Sequence, residues 1–136
     1  MILLAGGNTA LLEGLAQALA NTGQNVVVAH SLEEAEQQAR QAPILTVAER
    51  GLLSDADPGR NFLRGSIAGG GAVVTYREAG DTSRALPAPL ARYVLADLVL
   101  PLERHRLVAL AEHLATRAKV VGRPTDVIPP DSRASS

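Results

Sequence analysis

Few residues in this chain stand in patterns that could do chemistry. Leu3-Leu4-Ala5-Gly6-Gly7-Asn8 is an apolar run that breaks at two glycines just before helical spacing begins. Backbone amides at such a helix start can hold a phosphate, which makes a small Rossmann-like nucleotide-binding domain one reading. The dinucleotide pattern G-x-G-x-x-G is missing, because the next glycine is Gly14, and the second strand ends in His30-Ser31 rather than in a ribose-binding acid. Asp55-Ala56-Asp57-Pro58-Gly59 places two carboxylates in a stretch that also reads as a turn, with no third ligand at a recognisable spacing. The histidines are His30, His105 and His113; the last two are eight residues apart, which is not a metal clasp on one helix face. There is no cysteine, so thiol nucleophiles, disulfides and thiolate metal sites are excluded. No Ser-His-acid grouping falls at strand ends. The expectation is a protein with no catalytic residue, no metal and no cofactor.

The elements that must position these residues alternate regularly. Ile2–Ala5, Asn25–Ala29, Ile44–Ala48, Ala72–Tyr76 and Leu98–Leu100 are short, largely apolar runs, each bounded by glycine, proline or polar residues. They read as strands buried on both faces. Between the first two, Asn8 can cap a helix with Leu11, Leu12, Leu15, Ala16 and Leu19 on one face, and Gly23 can close it. Ser31 and Glu34 form a capping box for a helix to about Gln41, and Pro43 precedes the third strand. Gly51 to Gly59 reads as loop, followed by a short helix around Asn61–Ile67 that Gly69-Gly70-Gly71 ends. Pro87 and Pro89 argue against a long helix between Arg77 and Arg92. A last helix spans about Glu103–Val120, with Leu107, Leu110, Ala111, Leu114 and Ala118 on one face. Strands alternating with helices predict an α/β fold with a five-stranded parallel sheet, flavodoxin-like order 2-1-3-4-5, and helices on both faces. Residues 1–121 form the expected domain and 122–136, rich in Pro and Ser, a disordered tail or linker.

Composition narrows function mainly by exclusion. Of 136 residues, 46% are hydrophobic and 20% charged, a globular balance, and the net charge of −1 offers no footprint for nucleic acid. Aromatic residues are 2%: Phe62, Tyr76 and Tyr93 are the whole set, too few for stacking on bases or flavins. No apolar run has the length of a membrane span and the start lacks a basic leader, so a cytoplasmic protein is expected. Thirteen residues are basic and only Lys119 among them is a lysine.

From Met1 to Val120 the layout resembles the receiver domain of bacterial two-component response regulators, the CheY-like family. Pro43 before a strand that ends at Glu49 resembles the family's third strand, which closes on its phosphorylated aspartate. Ala96-Asp97-Leu98-Val99-Leu100-Pro101 resembles the fifth, which closes on Lys-Pro with a cis bond. The resemblance therefore makes Leu100-Pro101 a candidate cis peptide. It also implies five chemical groups: two acids for magnesium after the first strand, the acceptor aspartate, a hydroxyl after the fourth strand and a lysine after the fifth. Here the acid positions are Gly6 and Gly7, the acceptor position is Glu49, the hydroxyl position is Thr75 or Tyr76, and the lysine position is Leu100. A dianionic phosphoryl group beside carboxylates needs a divalent ion and an ammonium, and neither can be held by this set. The resemblance thus implies a degenerate pseudo-receiver that signals through protein contacts, as a homodimer or by docking a partner, with an output domain beyond the tail. Its interaction face would carry Arg84, Arg92, Tyr93, Asp97, Glu103, Arg104 and Arg106. Glu49 would be either a fixed charge imitating a phosphorylated state or a surface carboxylate paired with Arg50 or Arg77.

Overall fold

The computed structural model describes residues 1–53, 56–80 and 88–121, with the backbone alone described at 56–59, 89 and 118–121. Arg84, Asp55 and the tail expected over 122–136 lie outside the described residues. Five strands, β1 (Ile2–Ala5), β2 (Val26–Ala29), β3 (Leu45–Glu49), β4 (Ala72–Glu78) and β5 (Ala96–Leu100), form one parallel sheet in the order β2-β1-β3-β4-β5. This is the flavodoxin-like architecture that the alternation of elements predicts.

Side-chain alternation along the strands divides the core in two. Ile2, Leu4, Leu45, Val47, Val74, Tyr76, Leu98 and Leu100 face helices α1 (Thr9–Ala20) and α5 (Arg104–Val121), where Leu12, Leu15, Leu19, Leu107 and Ala111 meet them. Leu3, Ala5, Ala48 and Val73 face the other way, toward α2 (Leu32–Ala39), α3 (Ala56–Ala68) and α4 (Ala88–Ala91), which contribute Ala35, Phe62, Leu63 and Leu90. Each helix is thus held by its apolar stripe rather than by propensity.

Local details follow the sequence with corrections. Asn8 caps α1, its side chain accepting from the Leu11 amide at 3.1 Å. Ser31 caps α2 by accepting from the Glu34 amide at 3.1 Å, but Glu34 reaches back to the amide of His30, one residue beyond the usual partner, at 2.6 Å. The loop expected over Gly51–Gly59 is instead a 3-10 turn at Arg50–Leu53 followed by α3, which begins at Ala56 rather than near Asn61. Pro58 is compatible with that start because a first-turn residue has no intrahelical use for its amide, and burial of Phe62 and Leu63 anchors the helix. β4 runs two residues beyond Tyr76, to Glu78, and pairs with β5 to its end at Leu100. Pro89 lies within the single turn of α4. Among the described residues no helix is long and apolar enough to cross a membrane.

Candidate functional site

The carboxyl ends of the strands bring together four of the positions singled out in the sequence. Gly6 follows β1, Glu49 ends β3, and the register pairs Glu49 with Tyr76 on β4. Counting by twos along each strand puts Gly6, Glu49 and Tyr76 on the α1/α5 side of the sheet. Tyr76 is fully buried, and its hydroxyl occupies the space that a Cβ on residue 6 would take. Glycine at position 6 is therefore a steric requirement of the tyrosine. Glu49 Oε1 accepts the Gly7 amide at 2.9 Å. At the rim, Asn8 Nδ2 donates to Glu78 Oε1 at 2.8 Å.

This end of the sheet is acidic. The Tyr76 hydroxyl has no hydrogen-bond partner, and its pKa is pushed up, first by burial and then by the charges of Glu49 and Glu78. It is a neutral, buried plug, not a proton donor or nucleophile at neutral pH.

The Thr75-or-Tyr76 ambiguity resolves into two different roles. Thr75 is buried on the opposite face, where its hydroxyl donates to Asp97 Oδ1 at 2.9 Å. Asp97 Oδ2 meets the guanidinium of Arg50. Arg50, just after β3, Thr75 within β4 and Asp97 near the start of β5 thus tie the three strands together through a chain of polar contacts. Arg50 is buried although it follows the strand directly, a role the sequence alone did not indicate. Its carboxylate partner in this network is Asp97.

Leu100 is fully buried in the α1/α5 core, and the Leu100–Pro101 bond is cis. Glu103 accepts from the Val99 amide at 2.7 Å and from Arg106 at 2.5 Å, contacts that hold its carboxyl below the usual range. Arg104 and Arg106 are exposed, as are His30, His105 and His113. Arg92 is exposed and lies over the Tyr93 ring, 5.2 Å from its centroid. Arg64 of α3, which sequence reasoning did not single out, also reaches Tyr93: its Nε donates to the hydroxyl at 3.4 Å and an Arg92 NH2 donates to it at 3.3 Å.

The resemblance to receivers implies a magnesium ion and a phosphoryl group at these strand ends. Residues 6 and 7 supply no carboxylate, the Tyr76 hydroxyl fills the space above Gly6, and Glu49 is engaged by the Gly7 amide. Position 100 is an aliphatic side chain in the core, with no charge to offer a phosphoryl oxygen. The set does not fit either group. A nucleotide phosphate on the Gly6-Gly7-Asn8 turn meets the same obstacle, since a carboxylate already occupies the Gly7 amide. Among the described residues no group of three or more His, Asp or Glu could hold a metal.

No family model and no curated protein matches the sequence. Solved structures do match, and several of them are receiver domains of response regulators. The receiver domain of AraT, a response regulator from Geobacillus stearothermophilus, superposes with a TM-score of 0.66 at 15% identity, covering 89% of this chain and 96% of that one. The receiver domain of NtrX from Brucella abortus gives 0.65 at 19% identity, with 85% and 98% covered. A CheY-like response regulator receiver domain protein from Methanospirillum hungatei gives 0.64 at 16% identity, with 88% and 96% covered. Identities this low establish the shared fold.

Proposed function

We propose that the chain is a receiver-like regulatory module of the cytoplasm that works without phosphorylation, by forming a homodimer or docking a protein partner. The observation that carries this reading is the plug at the strand ends. Tyr76 fills the space over Gly6 and Glu49 is held by the Gly7 amide, at positions that the resemblance to receivers assigns to the ion and the phosphoryl group. A scaffold that keeps its fold and fills its reaction centre has its surfaces left to act with. Residues 122–136 would connect it to an output module, and the candidate contact face remains Arg84, Arg92, Tyr93, Asp97, Glu103, Arg104 and Arg106. Asp97 serves that face only through its exposed edge, since both of its oxygens are engaged by Thr75 and Arg50.

Intact-mass measurement after incubation with acetyl phosphate and magnesium tests the reading. The expected spectrum is unchanged; a stoichiometric phosphoryl adduct that disappears in Glu49→Gln would overturn it. A second reading, in which the Glu49 charge imitates a permanently phosphorylated state, is favoured by the placement of Glu49 at the end of β3. It requires that Glu49→Gln change the oligomeric state seen by light scattering, and an unchanged mass distribution eliminates it.

A further inference from the structure

The arginines around Tyr93 suggest the chemistry of the partner. Arg64 on α3 and Arg92 just after α4 come from separate elements and converge on one phenol oxygen. Among the described residues neither pairs with a carboxylate, whereas Arg50 pairs with Asp97 and Arg106 with Glu103. Arg60 lies one helical turn before Arg64 and so extends the same side of α3. Leu95, two residues after Tyr93, is 58% exposed. The positive field is strong enough to hold the Tyr93 hydroxyl down to about pKa 8, through the hydrogen bonds from Arg64 and then Arg92. Because the phenol oxygen accepts from both guanidinium groups, its own proton is available to a third group. Two forks and a phenol O–H make a donor set for an oxyanion.

The geometry points to Arg64, Arg92 and Tyr93 as a docking site for an acidic segment of a protein partner, with a carboxylate seated between the two guanidinium groups and the phenol. A peptide suits the site better than a small ion because the cluster is open to solvent. Single surface ion pairs contribute little, so affinity there needs several charges and an apolar contact such as Leu95 offers. The open groove between α2 and α3, of about 550 Å³, makes no comparable choice, since Glu33, Glu36 and Arg40 line it with both signs. This inference rests on the protein-docking half of the proposed function and leaves the phosphorylation half untouched.

The test is an NMR titration of the full chain with a peptide of repeated Glu-Glu-Leu, its Gln-Gln-Leu counterpart, and inorganic phosphate. The acidic peptide is expected to shift the Arg64, Arg92 and Tyr93 resonances in a saturable, salt-sensitive way. Arg64→Gln with Arg92→Gln is expected to weaken it about ten-fold or more. In that variant the Tyr93 phenol should also titrate closer to its ordinary value, which reads out the cluster independently of the peptide. Absence of saturable binding, equal binding of the glutamine peptide, or unchanged affinity in the double variant overturns the inference. So does phosphate binding as tightly as the acidic peptide, which would make the cluster a small-anion site. None of these results alters the acetyl phosphate outcome, so the two readings fail separately.

Discussion

Thr75 and Tyr76 are consecutive residues of β4 that carry hydroxyl groups to opposite faces of the sheet. On one face the Thr75 hydroxyl is matched: it donates to Asp97, which is in turn tied to Arg50. On the other, the Tyr76 hydroxyl is buried with no partner, pressed against a glycine and facing two carboxylates. Leaving a buried hydroxyl unpaired costs roughly 1–3 kcal/mol, so the second arrangement is not one that stability alone would keep. The contrast separates two uses of polar groups at the strand ends. The Arg50–Asp97–Thr75 network fastens three strands, and the Tyr76 side chain fills the space above Gly6.

Four substitutions distinguish the two arrangements. Arg50→Ala should have the largest effect, about 2–3 kcal/mol of destabilisation in urea melts. It strips the network of its cation and leaves Asp97 with a partly buried charge; the figure stays below that of a fully buried pair because the Asp97 side chain is 39% exposed. Gly6→Ala should cost about 2 kcal/mol, since the new methyl must displace the Tyr76 hydroxyl. Most of that cost should vanish in the double variant with Tyr76→Phe, and additive effects in the cycle would contradict the plug. Thr75→Val should cost about 1 kcal/mol by removing a donor to Asp97. Tyr76→Phe alone should be the mildest, neutral or up to about 1 kcal/mol stabilising, because it removes a hydroxyl that has no partner. If Tyr76→Phe destabilised more than Thr75→Val, the assignment of matched and unmatched hydroxyls would be reversed.

The two tyrosines also differ in how they couple stability to pH. Tyr93 has a folded pKa of about 8, depressed from 10.0, so its contribution is fully present above pH 10 and is lost as pH falls through 8. Tyr76 is shifted the other way, so its contribution is fully present below pH 10 and is lost as pH rises beyond it. Absorbance at the phenolate band should show one tyrosine ionising near pH 8 and the other resisting until the fold itself gives way.

The fold was legible in the sequence because five apolar runs separated by capped helical stretches leave few parallel arrangements. The α3 start was not, because Pro58 and Gly59 look like turn formers unless the burial of Phe62 and Leu63 is known. The positions Gly6, Glu49 and Leu100 are assigned by the resemblance to receivers rather than by spacing. What Tyr76 does was not legible, since it depends on the register that sets Glu49 beside it, and a shift of one residue would exchange its role with that of Thr75. Arg50 was hidden for the same reason: a charged residue after a strand reads as solvated until Asp97 is placed two strands away. Arg64 became visible only when α3 and the end of α4 were brought side by side.

The most direct measurement is an amide NMR titration with magnesium and beryllofluoride, which imitates a phosphoryl group without needing a covalent step. A plugged cleft predicts that the Gly6, Gly7, Glu49 and Tyr76 amides stay where they are at every concentration. Saturable shifts confined to those four residues would contradict it, because they would mean that Tyr76 yields and the ion enters.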